Sequence, residues 1–249
     1  MNFVKVQTND GIATVVIKRG KVNALNGEVV DELRDSFKAL EADPDTGAIV
    51  LTGYGNFFSF GFDVPEFLSF TKEEFTDYLI NFTDLYTYLF LYPKPVVAAL
   101  NGHTIAGGCM VALACDTRVM VDGKGKISLN EIAFGSSVFA GSTEMLRFSI
   151  GSANAAKVLY SGAMYSAEEA MRFGLVQAVF TEEDLMVQAR RIAADLASKH
   201  MPAFASIKAL LRKPIAEYMM KRERESIREF VGIWYSEETW ANLQDIKIY

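Results

Sequence analysis

Apolar residues near the start of the chain alternate between two spacings, one typical of strands and one of helices. Residues 3–6 and 12–17 are rich in β-forming side chains and are separated by the turn sequence Asn-Asp-Gly at 9–11, which predicts a hairpin. From 29 to 40 the apolar residues recur at helical spacing. The continuous apolar run 48–53 is typical of a strand covered on both faces. The predicted order is therefore β, β, α, β.

The alternation continues along the chain and then gives way to helices. The pattern predicts a helix over 72–92 and strands over 95–100 and 118–121. Further helices are predicted over 153–160, 167–173, 182–199, 203–211 and 221–235. We therefore divide the chain into an α/β body, residues 1–195, and a helical C-terminal region, residues 196–249.

Composition and charge narrow the class of partner. The chain has 249 residues, of which 50% are hydrophobic and 22% charged, as in a globular protein that needs no disulfide or metal to fold. A net charge of −6 without runs of like charge argues against binding to nucleic acid or a membrane surface. The longest apolar stretch, residues 105–115, is shorter than the ~20 residues of a membrane-spanning helix. A small-molecule partner is expected.

Cysteine and histidine usage bears on compartment and metal binding. Cys109 and Cys115 lie in one apolar stretch and are expected to be reduced core thiols. The first ten residues show no signal-peptide pattern, so we expect a cytoplasmic protein. His103 and His200 are far apart and form no recognisable metal-ligand set, so no metal is expected.

Three stretches place glycine where the chain passes from a strand towards a helix. They span residues 57–64, 101–110 and 128–135. Such junctions can present backbone N–H groups to a ligand. None of the three has the glycine spacing of a dinucleotide fingerprint or of a phosphate-binding P-loop.

In this order and spacing, and together with Lys-Val-Asn-Ala-Leu-Asn at 21–26, the three stretches resemble the crotonase (enoyl-CoA hydratase/isomerase) superfamily. The resemblance runs from the hairpin to about residue 180. It implies an α/β fold, a crotonase-like spiral of ββα turns. It further implies that the C-terminal region is an oligomerisation region that builds a homotrimer or a dimer of trimers. The implied partner is an acyl-CoA thioester, with coenzyme A as part of the substrate and no separate cofactor.

The resemblance also implies roles for individual residues. In the family two backbone N–H groups hold the thioester oxygen, and the matching positions here are Phe62 and Gly107. Such donors stabilise the negative charge that develops when a proton is removed beside the carbonyl. The residues expected to bind substrate are Ala24, Phe60, Gly61, Asp63, Val64, Met110, Asn130, Phe134 and Phe139. Asp63, like the nearby Glu66, could instead cap a helix, the interpretation we favour.

Hydratases of the family use two glutamates, and the matching positions here are Met110 and Glu131. Methionine cannot transfer a proton, whereas one carboxylate can move a proton between two carbons. We therefore expect a Δ3,Δ2-enoyl-CoA isomerase in which Glu131 is the catalytic base. The alternatives are another crotonase-type lyase or hydrolase, a hydratase with Glu144 as second carboxylate, and a non-catalytic acyl-CoA-binding protein.

Other polar residues are given structural interpretations. His103 is not expected to act as an acid or base. Lys208, Arg212 and Lys213 could contact the phosphates of coenzyme A, but solvated charges on a helix surface are the favoured interpretation.

Overall fold

The computed structural model of the protein describes residues 1–246 and contains two β-sheets. In chain order the strands are β1 (Val4–Asn9), β2 (Ile12–Ile17), β3 (Ala48–Gly53), β4 (Phe57–Ser59), β5 (Val96–Leu100), β6 (His103–Ile105), β7 (Thr117–Val121), β8 (Ile127–Ser128) and β9 (Ala178–Phe180). The larger sheet has the order β1-β2-β3-β5-β7-β9, and the smaller has the order β4-β6-β8.

The larger sheet begins with the predicted hairpin. β1 and β2 are antiparallel, and the turn places Asp10 and Gly11 in the left-handed region, at φ 52° and 72°. From β2 onward all neighbours in this sheet are parallel. Every residue of β3 and β5 is buried, which explains why these strands are continuously apolar in sequence.

The helices follow the strands as crossover connections and then form the C-terminal third of the chain. They are α1 (Gly27–Ala42), α2 (Val64–Phe67), α3 (Lys72–Leu91), α4 (Gly107–Ala114), α5 (Ala140–Ser161), α6 (Ala167–Phe173), α7 (Glu182–Ala197), α8 (Met201–Trp234) and α9 (Glu237–Gln244). Several begin at polar caps: Asn26, Thr71, Ser166 and Thr181 each accept a hydrogen bond from a backbone N–H in the first turn. Within residues 1–246, no helix is both long enough and apolar enough to span a membrane.

The larger sheet is covered on both faces. Leu185 and Ala189 of α7 pack with Ile12 and Val50 on one face. The main core occupies the other face, where the apolar sides of α1, α3, α4, α5 and α8 meet. Burial on both faces is the environment in which parallel strands are stable.

The structure corrects two helix predictions. The segments 203–211 and 221–235 belong to one 34-residue helix, α8, with Pro214 inside it. Proline removes one helical hydrogen bond, but packing of α8 on α3 and α5 stabilises both halves. The predicted helix 153–160 is the end of the longer α5, which is kinked at Gly151, at φ 75° and ψ 161°.

The C-terminal region packs on the body of its own chain. Ala216, Met219 and Phe230 of α8 belong to the same core as the helices of the α/β body. The division at residue 196 and the oligomerisation role of this region stay predictions. Residues 247–249 of the region lie outside the described residues.

Candidate active site

The smaller sheet brings together the three glycine-containing stretches. β4 and β6 are parallel, and so are β6 and β8, with Ser59 opposite Thr104 and Ile105 opposite Ser128. Because the carboxyl ends of parallel strands meet at one edge, the residues that follow the three strands become neighbours. These strands are two or three residues long, too short for a periodic pattern, so the sequence did not predict them.

Two backbone N–H groups are free at this edge. Leu25 forms a parallel bridge with Phe62: the Leu25 N–H donates to Gly61 O at 2.7 Å, and the Asp63 N–H donates to Leu25 O at 3.4 Å. This pairing directs the intervening Phe62 N–H away from Leu25. Within residues 1–246, neither the N–H of Phe62 nor that of Gly107 has an acceptor. The two predicted oxyanion donors are therefore both available.

The backbone around these donors is tightly packed. Gly61 has φ +96°, and a Cβ atom there would lie 2.9 Å from both Gly107 N and Ile105 O. Ala106, the residue before α4, holds the unusual backbone angles φ 49° and ψ −120°. A non-glycine residue in this region is strained, and such strain concentrates at functional sites. Gly107 opens α4, so its N–H lies at the positive end of the helix dipole.

Glu131 begins a short 3-10 helix, Glu131–Phe134, directly after the third strand of the small sheet. The side chain is buried, with 4% of the residue exposed. Neither carboxylate oxygen has a hydrogen-bond partner among residues 1–246. Burial raises the pKa of Glu131 to about 8. A carboxylate with a pKa near neutrality is suited to accept and return a proton.

Glu131 lines a cavity of about 230 Å³ that is mostly apolar. The other lining residues are Phe60, Phe62, Val64, Ile105, Ala106, Met110, Asn130, Ala133, Phe134, Phe230, Trp234 and Ile246. In the part of the chain that the structure describes, Glu131 is the one ionisable side chain in this lining. The arrangement can remove and return protons on an apolar ligand whose oxygen is held by the two backbone donors.

The structure places most of the predicted substrate-binding residues at this cavity. Those that line it are Phe60, Val64, Met110, Asn130 and Phe134. Gly61 lies beside it and supplies the turn that brings the donors together. Phe139 is fully buried behind the lining, with its ring centroid 6.3 Å from that of Phe62 and 4.5 Å from that of Phe230.

Two predicted binding residues are not part of the lining of this cavity. Ala24 and Asp63 border a shallow groove that also includes Arg19. Asp63 caps α2 by accepting from the Glu66 N–H at 3.2 Å, and it pairs with Arg19 Nη1 at 2.5 Å. Arg19 Nη2 also reaches Glu66 Oε2, at 3.0 Å. The capping interpretation of Asp63 is confirmed, and the substrate-binding role of both residues stays a prediction.

Two alternative acid or base residues are also outside the lining. Glu144 pairs with Arg147 at 2.9 Å in the first half of α5. His103 lies against Phe57, with ring centroids 5.0 Å apart, and burial lowers its pKa. Neither lines the cavity that contains Glu131.

Lys208 and Arg212 are buried, so the interpretation as solvated charges is wrong for both. They pair with Asp116, at 2.8 Å from Lys208 Nζ and 3.1 Å from Arg212 Nη2. Arg212 also donates to the backbone oxygens of Ala114 and Cys115 at the end of α4. Burial lowers the pKa of Lys208 to about 8. Both cations are engaged in holding α8, whereas Lys213 borders a shallow surface groove.

The sequence analysis missed the contribution of α8 to the cavity. Phe230 and Trp234 line it from residues beyond the recognised motifs. Glu223, on the same buried stripe of α8, accepts from the Gly141 N–H at 2.9 Å, and burial raises its pKa to about 7. One face of α8 has residues at helical spacing, and this spacing indicates that the face is buried. It does not indicate that the face covers the cavity. The residues of this face are Glu223, Ile227, Phe230 and Trp234.

Comparison with known proteins places these features in a family. Residues 7–234 match the family model described as "Enoyl-CoA hydratase/isomerase". The "Enoyl-CoA hydratase, mitochondrial" of Pongo abelii is 33% identical over 214 residues, which are 84% of this chain and 73% of that protein. The "Enoyl-CoA delta isomerase 1, mitochondrial" of Mus musculus is 29% identical over 232 residues, which are 92% and 80% of the two chains.

A solved structure has the same fold as this protein over nearly the full length of both chains. The crystal structure of human mitochondrial delta3-delta2-enoyl-CoA isomerase superposes with a TM-score of 0.92 and is 29% identical. The match covers 97% of this chain and 95% of that one.

Proposed function

Since this chain belongs to the enoyl-CoA hydratase/isomerase family, we propose that it is a Δ3,Δ2-enoyl-CoA isomerase, which shifts the double bond of a 3-enoyl-CoA to the 2 position. The observation that carries the proposal is the pairing of one buried carboxylate, Glu131, with an apolar residue, Met110, in the same cavity. Hydratases of the family, by the resemblance described under Sequence analysis, have a second glutamate at the position that matches Met110.

The proposed reaction is a proton transfer within the acyl group. Glu131, as carboxylate, takes a proton from C2, and the electron pair left there delocalises over C4 and the thioester oxygen. The resulting dienolate oxygen accepts hydrogen bonds from the N–H groups of Phe62 and Gly107. Loss of one such donor costs roughly 10²–10³ in rate in other enzymes. Glu131 then returns the proton to C4, which gives the trans-2-enoyl-CoA.

The surroundings of Glu131 support this role. The carboxyl group is buried and unpartnered, so no neighbouring group competes for its proton among residues 1–246. Exclusion of water also favours return of the same proton over its loss to solvent. The reaction needs no cofactor beyond the coenzyme A of the substrate, because no electron leaves or enters the substrate.

Hydration is the second candidate, favoured by the names of several relatives, including the hydratase of Pongo abelii. Adding water to a double bond requires groups that hold and activate that water. Apart from Glu131, the polar side-chain atoms in the described lining of the cavity are the amide of Asn130 and the indole N–H of Trp234, and neither group is a carboxylate. We therefore rank hydration below isomerisation. A lyase, a hydrolase and a non-catalytic acyl-CoA-binding protein rank lower still.

We further propose a homotrimer or dimer of trimers, assembled through the C-terminal region, and a cytoplasmic site of action. Exposed apolar side chains along α8, among them Ile207, Leu210, Leu211 and Tyr218, favour contact with another copy. Sedimentation of the purified protein would measure the number of copies. The two reduced cysteines, Cys109 and Cys115, suit the cytoplasm.

The test is an assay of the purified protein with 3-hexenoyl-CoA and, separately, with trans-2-hexenoyl-CoA, in which both double-bond position and hydroxyacyl product are followed. Migration of the bond without hydration is expected. Glu131→Gln keeps the size of the side chain and removes its ability to accept the proton, so it should abolish migration while thermal unfolding stays cooperative. Full activity in that folded variant would contradict the mechanism, and hydration by the wild type would favour the second candidate.

A further inference from the structure

On the basis of the proposed function, we propose that Phe230 and Trp234 form an end wall of the acyl cavity and that Trp234 limits the substrate to acyl chains of up to about seven carbons. Both residues belong to α8, outside the motifs that carry the oxyanion donors and the base. The inference therefore concerns which acyl group is accepted, and not how its double bond moves.

The wall is formed by two aromatic side chains one helical turn apart. Phe230 and Trp234 lie on the same face of α8 and both line the cavity. Their ring centroids are 5.7 Å apart and the rings are nearly parallel. Both are buried, with 2% of Phe230 and 1% of Trp234 exposed. Together they present a continuous aromatic surface to the ligand.

A second aromatic layer backs this surface. The Trp234 ring contacts Phe75 of α3, with centroids 4.7 Å apart, and the Phe230 ring contacts Phe139, with centroids 4.5 Å apart. Phe75 and Phe139 are themselves fully buried. Because protein interiors are close-packed, a longer chain cannot displace the wall without repacking this second layer.

Tertiary contacts also hold the helix that carries the wall. Glu223 accepts from the Gly141 N–H at 2.9 Å, and Ser226 Oγ accepts from the Ala140 N–H at 3.0 Å. These two amides are at the N-terminus of α5, where carboxylate and hydroxyl oxygens are favourable partners. Ser226 and Glu223 lie about one and two turns before Phe230 on the helix. The contacts therefore fix the wall at a set distance from α5.

The size of the cavity sets the limit on chain length. Its volume is about 230 Å³. In another protein, an apolar cavity of about 150 Å³ holds the six carbons of benzene. By the same ratio, this cavity has room for roughly nine carbon-sized groups, and the thioester end of the ligand occupies part of it. A hexanoyl group with its thioester oxygen and sulfur counts as about eight such groups and fits, whereas a dodecanoyl group counts as about fourteen and does not.

The experiment measures binding of saturated hexanoyl-, octanoyl- and dodecanoyl-CoA by calorimetry to the full-length wild type, Trp234→Leu and Trp240→Leu. Trp240 is the matched control, because it lies on α9 against Tyr235 and does not line the cavity. The wild type should bind dodecanoyl-CoA at least about tenfold more weakly than hexanoyl-CoA, since the extra methylenes have no room. Trp234→Leu should narrow this difference to about threefold or less, and Trp240→Leu should leave it unchanged.

Either of two results would overturn the proposal: equal binding of all three ligands by the wild type, or an unchanged chain-length preference in folded Trp234→Leu. If Trp234→Leu does not fold, Phe230→Leu tests the same wall. Saturated ligands cannot isomerise, so this result is independent of the double-bond assay. If the proposed function is wrong, the double-bond assay shows no bond migration. If the proposal about the wall is wrong, calorimetry shows no preference for short acyl chains.

Discussion

A Cβ atom built on Gly61 would lie 2.9 Å from the amide nitrogen of Gly107. Real Cβ contacts of this length essentially never occur, so the two loops can approach as they do only because residue 61 is glycine. The approach sets Phe62, the next residue, beside Gly107 and so determines where the two free N–H groups point. The predicted oxyanion site thus depends on Gly61, although the two N–H groups of that site belong to Phe62 and Gly107.

Gly61→Ala should lower kcat for isomerisation by roughly 10²-fold or more, because the added methyl group separates the two donors. The substitution also places alanine at φ +96°. Gly55→Ala is the control, since Gly55 has φ +74° with nothing near the added methyl group. Backbone strain should cost both variants about 1 kcal/mol of unfolding free energy. Gly61→Ala should lose more than Gly55→Ala, because its methyl group also meets Gly107 N and Ile105 O. Equal catalytic losses in the two variants would contradict a specific role for the Gly61 contact.

The rate of isomerisation should rise with pH. Burial raises the pKa of Glu131 to about 8, and the reaction needs the carboxylate form, so activity is low below that pH and levels off above it. The profile of kcat/KM against pH for 3-hexenoyl-CoA reports the pKa of the free protein. A profile that is flat from pH 6 to 9 would show that a raised Glu131 pKa does not control the reaction.

Met110→Glu should introduce hydration of trans-2-hexenoyl-CoA. Met110 lines the same cavity as Glu131, so the variant would supply a second carboxyl group to hold water. Two nearby carboxyl groups cannot easily both ionise, so one should stay protonated at neutral pH. Met110→Leu, which keeps the site apolar, serves as the control and should retain bond migration. Hydroxyacyl-CoA formation, measured by chromatography, distinguishes the two variants.

If folded Met110→Glu forms no more hydroxyacyl-CoA than Met110→Leu, the absence of a second carboxylate is not what prevents hydration. The variant buries a new carboxyl group and should lose about 2 kcal/mol of unfolding free energy or more. Thermal unfolding therefore accompanies the assay.

Asp116→Ala should destabilise the protein by about 3–5 kcal/mol, because it leaves Lys208 and Arg212 buried without their anion. Asp195→Ala is the matched control. Asp195 pairs with Lys199 at 3.0 Å on the surface, where an ion pair is worth roughly 0–1 kcal/mol. Urea unfolding measures both changes. Similar small losses in the two variants would mean that the Asp116 cluster does not anchor α8.

The local pattern of apolar and turn residues was sufficient to predict much of the fold and the reactive groups of the candidate site. The hairpin, the buried strands β3 and β5 and the helix α1 follow from hydrophobic spacing and turn residues close in sequence. The motif resemblance is confirmed by the family match over residues 7–234. Glu131 and Met110 were singled out because the glycine-containing stretches around them are contiguous, and the structure places both in one cavity.

Other features depend on residues that are far apart along the chain. Asp116 lies 92 residues from Lys208, so no local pattern distinguishes this buried pair from solvated charges. Pro214 indicates a helix break, yet packing on α3 and α5 stabilises a continuous α8. The capping role of Asp63 became evident only from its contacts with Arg19 and Glu66, and its substrate-binding role stays a prediction.

By itself, the sequence determined which groups are present for chemistry: one carboxylate, Glu131, and an apolar residue, Met110, in glycine-containing motifs. Local propensity and turn geometry act over a few residues, and so they can be inferred from the order of residues alone. The tertiary structure decided where those groups meet and how much room they leave. Phe230 and Trp234 reach the cavity only because α8 folds back onto α3 and α5, and burial by distant residues is what raises the pKa of Glu131.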